Sequence, residues 1–155
     1  MNRRRDTRTL DLLAWEPASV VAAYADDVAG KGALDNRIAR LVSRALRDAK
    51  DDHGLSRDQV AELMSGYLKR EVSAAQLDHW ASEANSDRRI PLDAFAALIH
   101  ATGADQLLGF LPGLFGFVAV PERYAHLIEL HEIEEHETRI AAHKAALTSK
   151  MRAAR

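Results

Sequence analysis

LSRDQVAELMSGYLKREVSAAQLDHWASEANSDRRIPLDAFAALIHATG, residues 55–103, places helix-start signals in close succession. Ser56 precedes Asp58 and Gln59, residue types that suit the first turn of a helix. Val60, Leu63, Met64, Tyr67 and Leu68 follow at helical spacing and predict its buried face. Ser73 stands three residues before Gln76, the S-A-A-Q spacing of a capping box. Val72 and Leu77 bracket that box as a hydrophobic staple, and Leu77 and Trp80 are expected to face inward. Pro91 suits the opening turn of a third helix, continued by Leu92, Phe95, Leu98 and Ile99 as far as Gly103.

Two short capped helices in succession are how a helix-turn-helix offers its second helix to DNA. In the helix expected over residues 73–83, Ala74, Ala75, Gln76, His79 and Ser82 surround the front and outer face. Small residues there let a helix approach base edges, while Gln and Ser can bond to them. Gln76 and His79 are the candidate base readers, and Ser73 with the helix start is a candidate phosphate contact. Arg57, Arg70, Arg88 and Arg89 are candidate contacts to the DNA backbone. Charge within the motif is nearly neutral: Arg57, Lys69, Arg70, Arg88 and Arg89 face Asp58, Glu62, Glu71, Asp78, Glu83 and Asp87. Binding therefore requires the basic groups to gather on one side.

The rest of the chain frames this motif. Before it, Leu34, Ile38, Leu41, Val42, Ala45, Leu46 and Ala49 define the apolar face of a helix from Leu34 to Lys50, with Gly54 as its C′ residue. Arg37, Arg40, Arg44 and Arg47 line the other side, either as a stripe tracking a DNA backbone or as a solvated face. Residues 1–33 read as a basic arm, with Arg3, Arg4, Arg5 and Arg8 against Asp6, followed by a docking segment. A short helix is expected at Ala18 to Asp27, and Trp15 and Tyr24 are expected packing anchors. The Arg3 to Arg5 arm could occupy an adjacent groove of the duplex.

After the motif, a short helix is expected at Asp105 to Phe110, ended by Pro112 and Gly113. FGFVAVP, residues 115–121, reads as an extended stretch that either pairs as a strand or crosses the core. Pro121 then opens a long helix from Glu122 to about Ala153. On it, Ile133, Ile140 and Leu147 recur every seven residues, with Leu130 and Met151 on the complementary seam. These five residues are candidates for homodimerization, although Glu137 and Lys144 interrupt the seam. Packing of the helix's first half on the core is the alternative.

Composition narrows the chemistry. The 155 residues are 47% hydrophobic and 28% charged, with net charge −2 and no cysteine. Disulfides, thiol nucleophiles and cysteine-bound zinc are excluded, which suits a cytoplasmic protein. The absence of an apolar run of about 18 residues argues against a membrane partner. His131-Glu132-Ile133-Glu134-Glu135-His136 resembles a metalloprotease signature superficially. Its histidines are five apart, about 140° around a helix, where zincin chemistry needs four and about 40°. No phosphate-binding glycine loop, nucleophile elbow or acid pair is evident, so neither an enzyme nor a cofactor is expected.

With its helices placed, Leu34 to about Leu111 resembles the five-helix DNA-binding domain of lambda-repressor-like regulators. The resemblance implies an all-α fold in which SRDQVAELMS is the scaffold helix, SAAQLDHWASE the recognition helix and IPLDAFAALIHATGA the fourth helix. Residues 34–118 would form that domain and residues 119–155 the long C-terminal helix. The segment GYLKRE adds about six residues between the motif helices, accommodated by a longer scaffold helix or an opened turn. The whole layout is also similar to small regulatory proteins of Mu-like transposable prophages. That likeness implies a phage or prophage transcriptional regulator acting as a homodimer on double-stranded DNA. Its rival is a helical adaptor that joins other phage or transposition proteins without touching DNA.

Overall fold

The computed structural model describes residues 20–84 and 89–153. Trp15, Arg3, Arg4, Arg5 and Arg88 lie outside the described residues. Within them the regular structure is helical and contains no strand. Short α1, Asp26–Ala29, precedes α2, Leu34–His53, which Gly54 ends in the left-handed conformation at φ 68°. The helices α3, Arg57–Leu68, and α4, Ala74–Trp80, lead to α5, Leu92–Thr102. A 3₁₀ turn at Asp105–Gly109 runs into α6, Phe110–Gly113. A second such turn, Glu122–Tyr124, opens α7, Ala125–Ala153. No helix among the described residues is long and apolar enough to cross a membrane.

One core joins α2 to α5. Leu41, Val42, Ala45, Leu46 and Ala49 of α2 meet Val60, Ala61 and Met64 of α3, with Leu77 and Trp80 of α4. Ala94, Ala97, Leu98 and Ala101 of α5 complete it, together with Val72 and Leu107. Alanines dominate the α5 contribution, which lets α3 and α5 approach closely and form the most extensive helix contact of the fold. Thr102 is a buried polar residue here. Its hydroxyl donates to the Leu98 carbonyl at 2.7 Å and accepts from the Ala104 N–H at 3.3 Å, so its burial leaves no hydrogen bond unmade.

Several sequence expectations are corrected. The helix expected at Ala18 to Asp27 begins only at Asp26, because residues 20–25 run as an irregular strap over the core. Leu63 and Tyr67, expected on the buried face of their helix, are exposed, by 47% and 52%. The core of so small a bundle covers a narrower stripe than the hydrophobic periodicity suggests. Residues 117–121 are extended but form no strand and do not cross the core; Phe117 is 71% exposed. Nor does α7 lay its first half on the core, since none of its residues is buried.

The strap is held by identifiable contacts. Tyr24 donates to Asp48 at 3.0 Å, and the Ala22 N–H donates to the Ala119 carbonyl at 2.9 Å. Burial first, then the bond to Asp48, pushes the Tyr24 phenol well above its ordinary range, so the hydroxyl stays a donor. Arg40 donates to the Ala29 carbonyl at 2.9 Å and to that of Lys31 at 2.7 Å. Gly109 is where the strap comes closest. A Cβ built there would lie 1.8 Å from the Ala22 carbonyl oxygen, so the backbone itself demands glycine. Gly109→Ala should therefore lift the strap and destabilise the fold by about 1–3 kcal/mol, read from urea unfolding. An unchanged midpoint would contradict this packing.

Candidate nucleic-acid interface

The motif helices are fixed from both ends. At α3, the Ser56 hydroxyl accepts from the Gln59 N–H at 3.2 Å while Gln59 Oε1 accepts from the Ser56 N–H at 2.8 Å. Ser73 and Gln76 repeat the arrangement at α4, at 3.3 and 2.9 Å. Both are complete capping boxes, which satisfy donors that a helix start otherwise leaves open. Caps alone cannot hold α4, because a helix of 7 residues is far too short to persist by itself. Leu77, Trp80 and Val72 anchor it by burial, and truncating a fully buried Leu costs about 2–5 kcal/mol against about 1 kcal/mol for a cap.

The segment between the helices shows both expected features, a longer α3 and an opened turn over residues 69–73. α3 continues through Tyr67 to Leu68, and Lys69 closes it in the left-handed conformation, φ 54°. Ser65 then ties the connection down. Its Oγ accepts from the Val72 N–H at 2.9 Å and lies 2.7 Å from the Ala61 carbonyl, to which it donates. The turn is thus longer than that of the resembled motif but not loose.

The helix expected over residues 73–83 is shorter than predicted: α4 stops at Trp80, and residues 81–83 lie beyond it. Ser73 and Ala75 are exposed, whereas Ala74, Gln76 and His79 are half-buried. Gln76 spends its Oε1 on the capping box, leaving the amide Nε2 as the group it can turn outward. A bidentate contact to adenine needs both atoms, so the structure narrows what Gln76 can read. Asp78 is the exposed residue on this face that the sequence reading left out. Projecting residues 74–80 on a helical wheel would have found it, since Asp78 falls one turn from Ala74 and Ala75.

Among the described residues, the candidate phosphate-binding arginines Arg57, Arg70 and Arg89 are engaged. Arg57 reaches Asp78 at 3.0 Å, bridging the start of α3 to the outer face of α4. Its Nη1 is buried without an acceptor. Arg70 pairs with Asp93 at 2.8 Å and Arg89 pairs with Asp35. Arg70, followed by the Ala94 N–H, holds the Asp93 carboxyl below its ordinary range. The stripe on α2 is divided between arginines paired with carboxylates and arginines that are not. Arg40 pairs with Glu83 and Arg44 with Asp48, while Arg37 lies over the Phe110 ring at 5.2 Å and Arg47 returns to the Ser43 carbonyl. Arg40 ties α2 to Glu83 and to the Ala29–Lys31 turn, whereas exposed Arg47 bonds only within its own helix.

A feature absent from the sequence reading is an aromatic contact between α3 and α5. The Tyr67 ring lies 4.5 Å from that of His100, centroid to centroid, on the exposed side of the pair. The candidate dimerization residues Leu130, Ile133, Ile140, Leu147 and Met151 are all on α7 and exposed. Among the described residues, no three histidine, aspartate or glutamate side chains converge to hold a metal ion. No protein-family model, curated protein or solved structure matches this chain.

Two outcomes test this geometry. Ser65→Ala should cost about 1–3 kcal/mol in urea unfolding, because the Val72 N–H loses its acceptor in a buried setting; a neutral effect would show the tether to be dispensable. The lowered Asp93 pKa contributes stability above the ordinary carboxylate value of 3.8, lost as pH falls through the depressed folded value. Asp93→Asn should thus lower the unfolding midpoint at neutral pH and converge with the parent protein in acid.

Proposed function

We propose that this chain is a sequence-specific, double-stranded DNA-binding transcriptional regulator of the lambda-repressor-like kind, acting as a homodimer. The observation that carries this reading is the α3–α4 pair. Reciprocal caps and Ser65 lock it, Leu77 and Trp80 bury one side of α4, and Ser73, Ala75 and Asp78 remain outward. α4 would enter the major groove, Gln76 Nε2 and His79 would address base edges, and Ser73 would bond phosphate. Exposed ion pairs hold weakly. Arg57, Arg70 and Arg89 would exchange their carboxylates for DNA phosphates, joined by Arg88 and the Arg3 to Arg5 arm. Asp78 would then act as a brake on affinity that raises the cost of a mismatched sequence.

A second reading, the helical adaptor, is favoured by those same ion pairs, which leave the face near neutral. Selection of binding sites from random duplexes, followed by titration at several salt concentrations, separates the two. The DNA reading expects an enriched sequence whose affinity falls steeply with salt as counterions are released. Asp78→Asn should tighten binding several-fold. Gln76→Glu keeps the capping box, and hence the unfolding midpoint, but replaces the outward donor with negative charge and should abolish sequence preference. No enrichment, with affinity for duplex insensitive to salt and to both substitutions, overturns the DNA reading in favour of the adaptor.

A further inference from the structure

On α7, aliphatic side chains and two charges share one stripe. Leu130, Ile133, Ile140, Leu147 and Met151 retain between 47% and 70% of their surface exposed, and no residue of the helix is buried. A helix of 29 residues extends about 44 Å, and with no residue buried it lacks the tertiary packing from which helices in proteins draw most of their stability. Within its own turns Glu135 pairs with both His131 and Arg139 away from the apolar stripe, and His126, seven residues before Ile133, pairs with Glu129. Glu137 and Lys144, the charges within the apolar stripe, have no ion-pair partner among the described residues.

Their spacing selects a partner. In a seven-residue repeat Leu130, Glu137, Lys144 and Met151 occupy one seam position, and Ile133, Ile140 and Leu147 the other. Side by side in parallel and in register, two copies would set Glu137 against the partner's Glu137 and Lys144 against the partner's Lys144. Glu129 on the flank would also approach the partner's Glu134. Each of these contacts is repulsive. Reversing one copy changes every sign: Glu137 approaches the partner's Lys144, Lys144 the partner's Glu137, and Glu129 the partner's Lys150. Leu130 then lies against the stretch holding the partner's Leu147 and the partner's Met151, while Ile140 sits near the centre against the partner's Ala141.

We infer that α7 is an interaction surface for a second copy of this chain, the two helices pairing antiparallel with Glu137 of each against Lys144 of the other. A polar residue within an apolar seam fixes register at some cost in stability, and here the two charges fix direction as well. This pairing rests on the homodimer part of the proposed function and deepens it; it uses no property of α4, so its failure leaves contact of α4 with duplex to be judged by its own titration.

The chain has no native cysteine, so single substitutions report direction cleanly. Full-length Leu130→Cys protein is mixed under oxidising conditions with Leu147→Cys protein, and in parallel with Met151→Cys protein. The antiparallel pair gives a disulfide between unlike chains in at least one mixture, and little Leu130→Cys self-linkage. Dominant self-linkage of Leu130→Cys shows a parallel pair and overturns the inference. Sedimentation equilibrium of unmodified cysteine-free protein guards against loss of pairing caused by the cysteine substitutions. Glu137→Lys should raise the dimer dissociation constant about tenfold or more by facing lysine with lysine, and Lys144→Glu should do likewise. Combining both substitutions should restore the parent value. A monomer at all concentrations, or single charge reversals without effect, overturns the inference, whatever the protein does with duplex DNA.

Discussion

Leu77 keeps no solvent-exposed surface, and Trp80 on the same side of α4 keeps 8%. The orientation of the whole motif depends on that burial. A helix of about two turns has neither the length nor the internal hydrogen bonds to define its own direction. It points where its apolar side is drawn, and the core formed by α2, α3 and α5 leaves one place for two such side chains. Val72 secures the entry to the helix from the same core, and Ser65 pins the backbone at that point. Once this side is buried, which residues face outward follows from the helical repeat alone. Ser73, Ala75 and Asp78 are outward because Leu77 and Trp80 are inward.

The electrostatics are organised around the same constraint. Carboxylates close to the motif are not scattered at random over its surface: Asp78 meets Arg57, Asp93 meets Arg70, and Asp35 meets Arg89. Each pair joins two different elements, so the near-zero net charge of the motif is partly the charge of its bracing. The net charge therefore understates the number of guanidinium groups near α4, and a count of arginines overstates their freedom. Any polyanion docking here must compete with internal acids, whereas a partner with mixed charge would exchange with them pair for pair. That competition is the physical ground on which the DNA and adaptor readings differ.

Helix identity was legible because its signals are local. Ser56, Ser73 and Gly54 mark helix ends through bonds made within a few residues, and each does in the fold what the sequence pattern predicts. The all-helical character and the long final helix follow from the same kind of signal. What eluded the sequence was set by distant partners. Asp35 and Arg89 are separated by 54 positions and Asp93 and Arg70 by 23, so no pattern within either segment announces their pairing. Leu63 and Tyr67 satisfy helical periodicity yet face away from a core too small to cover them. The strap at residues 20–25 takes its course from Gly109, whose missing side chain matters only when the two segments meet.

Pairing through α7 would also constrain how a regulator of this shape meets DNA. Antiparallel helices registered by Glu137 and Lys144 carry their globular heads at opposite ends, with the two Ala125 positions roughly 46 Å apart along the rod. Half-sites separated by one helical turn, about 34 Å, are matched by dimers whose reading heads sit side by side. A rod of the greater length does not bring its heads that close. Either the half-sites are more widely spaced, with the chain between Phe110 and Ala125 setting the angle of each head, or the heads engage separate stretches of duplex. On that proposal the direction of one exposed helix would govern the spacing of the target from a position well away from α4.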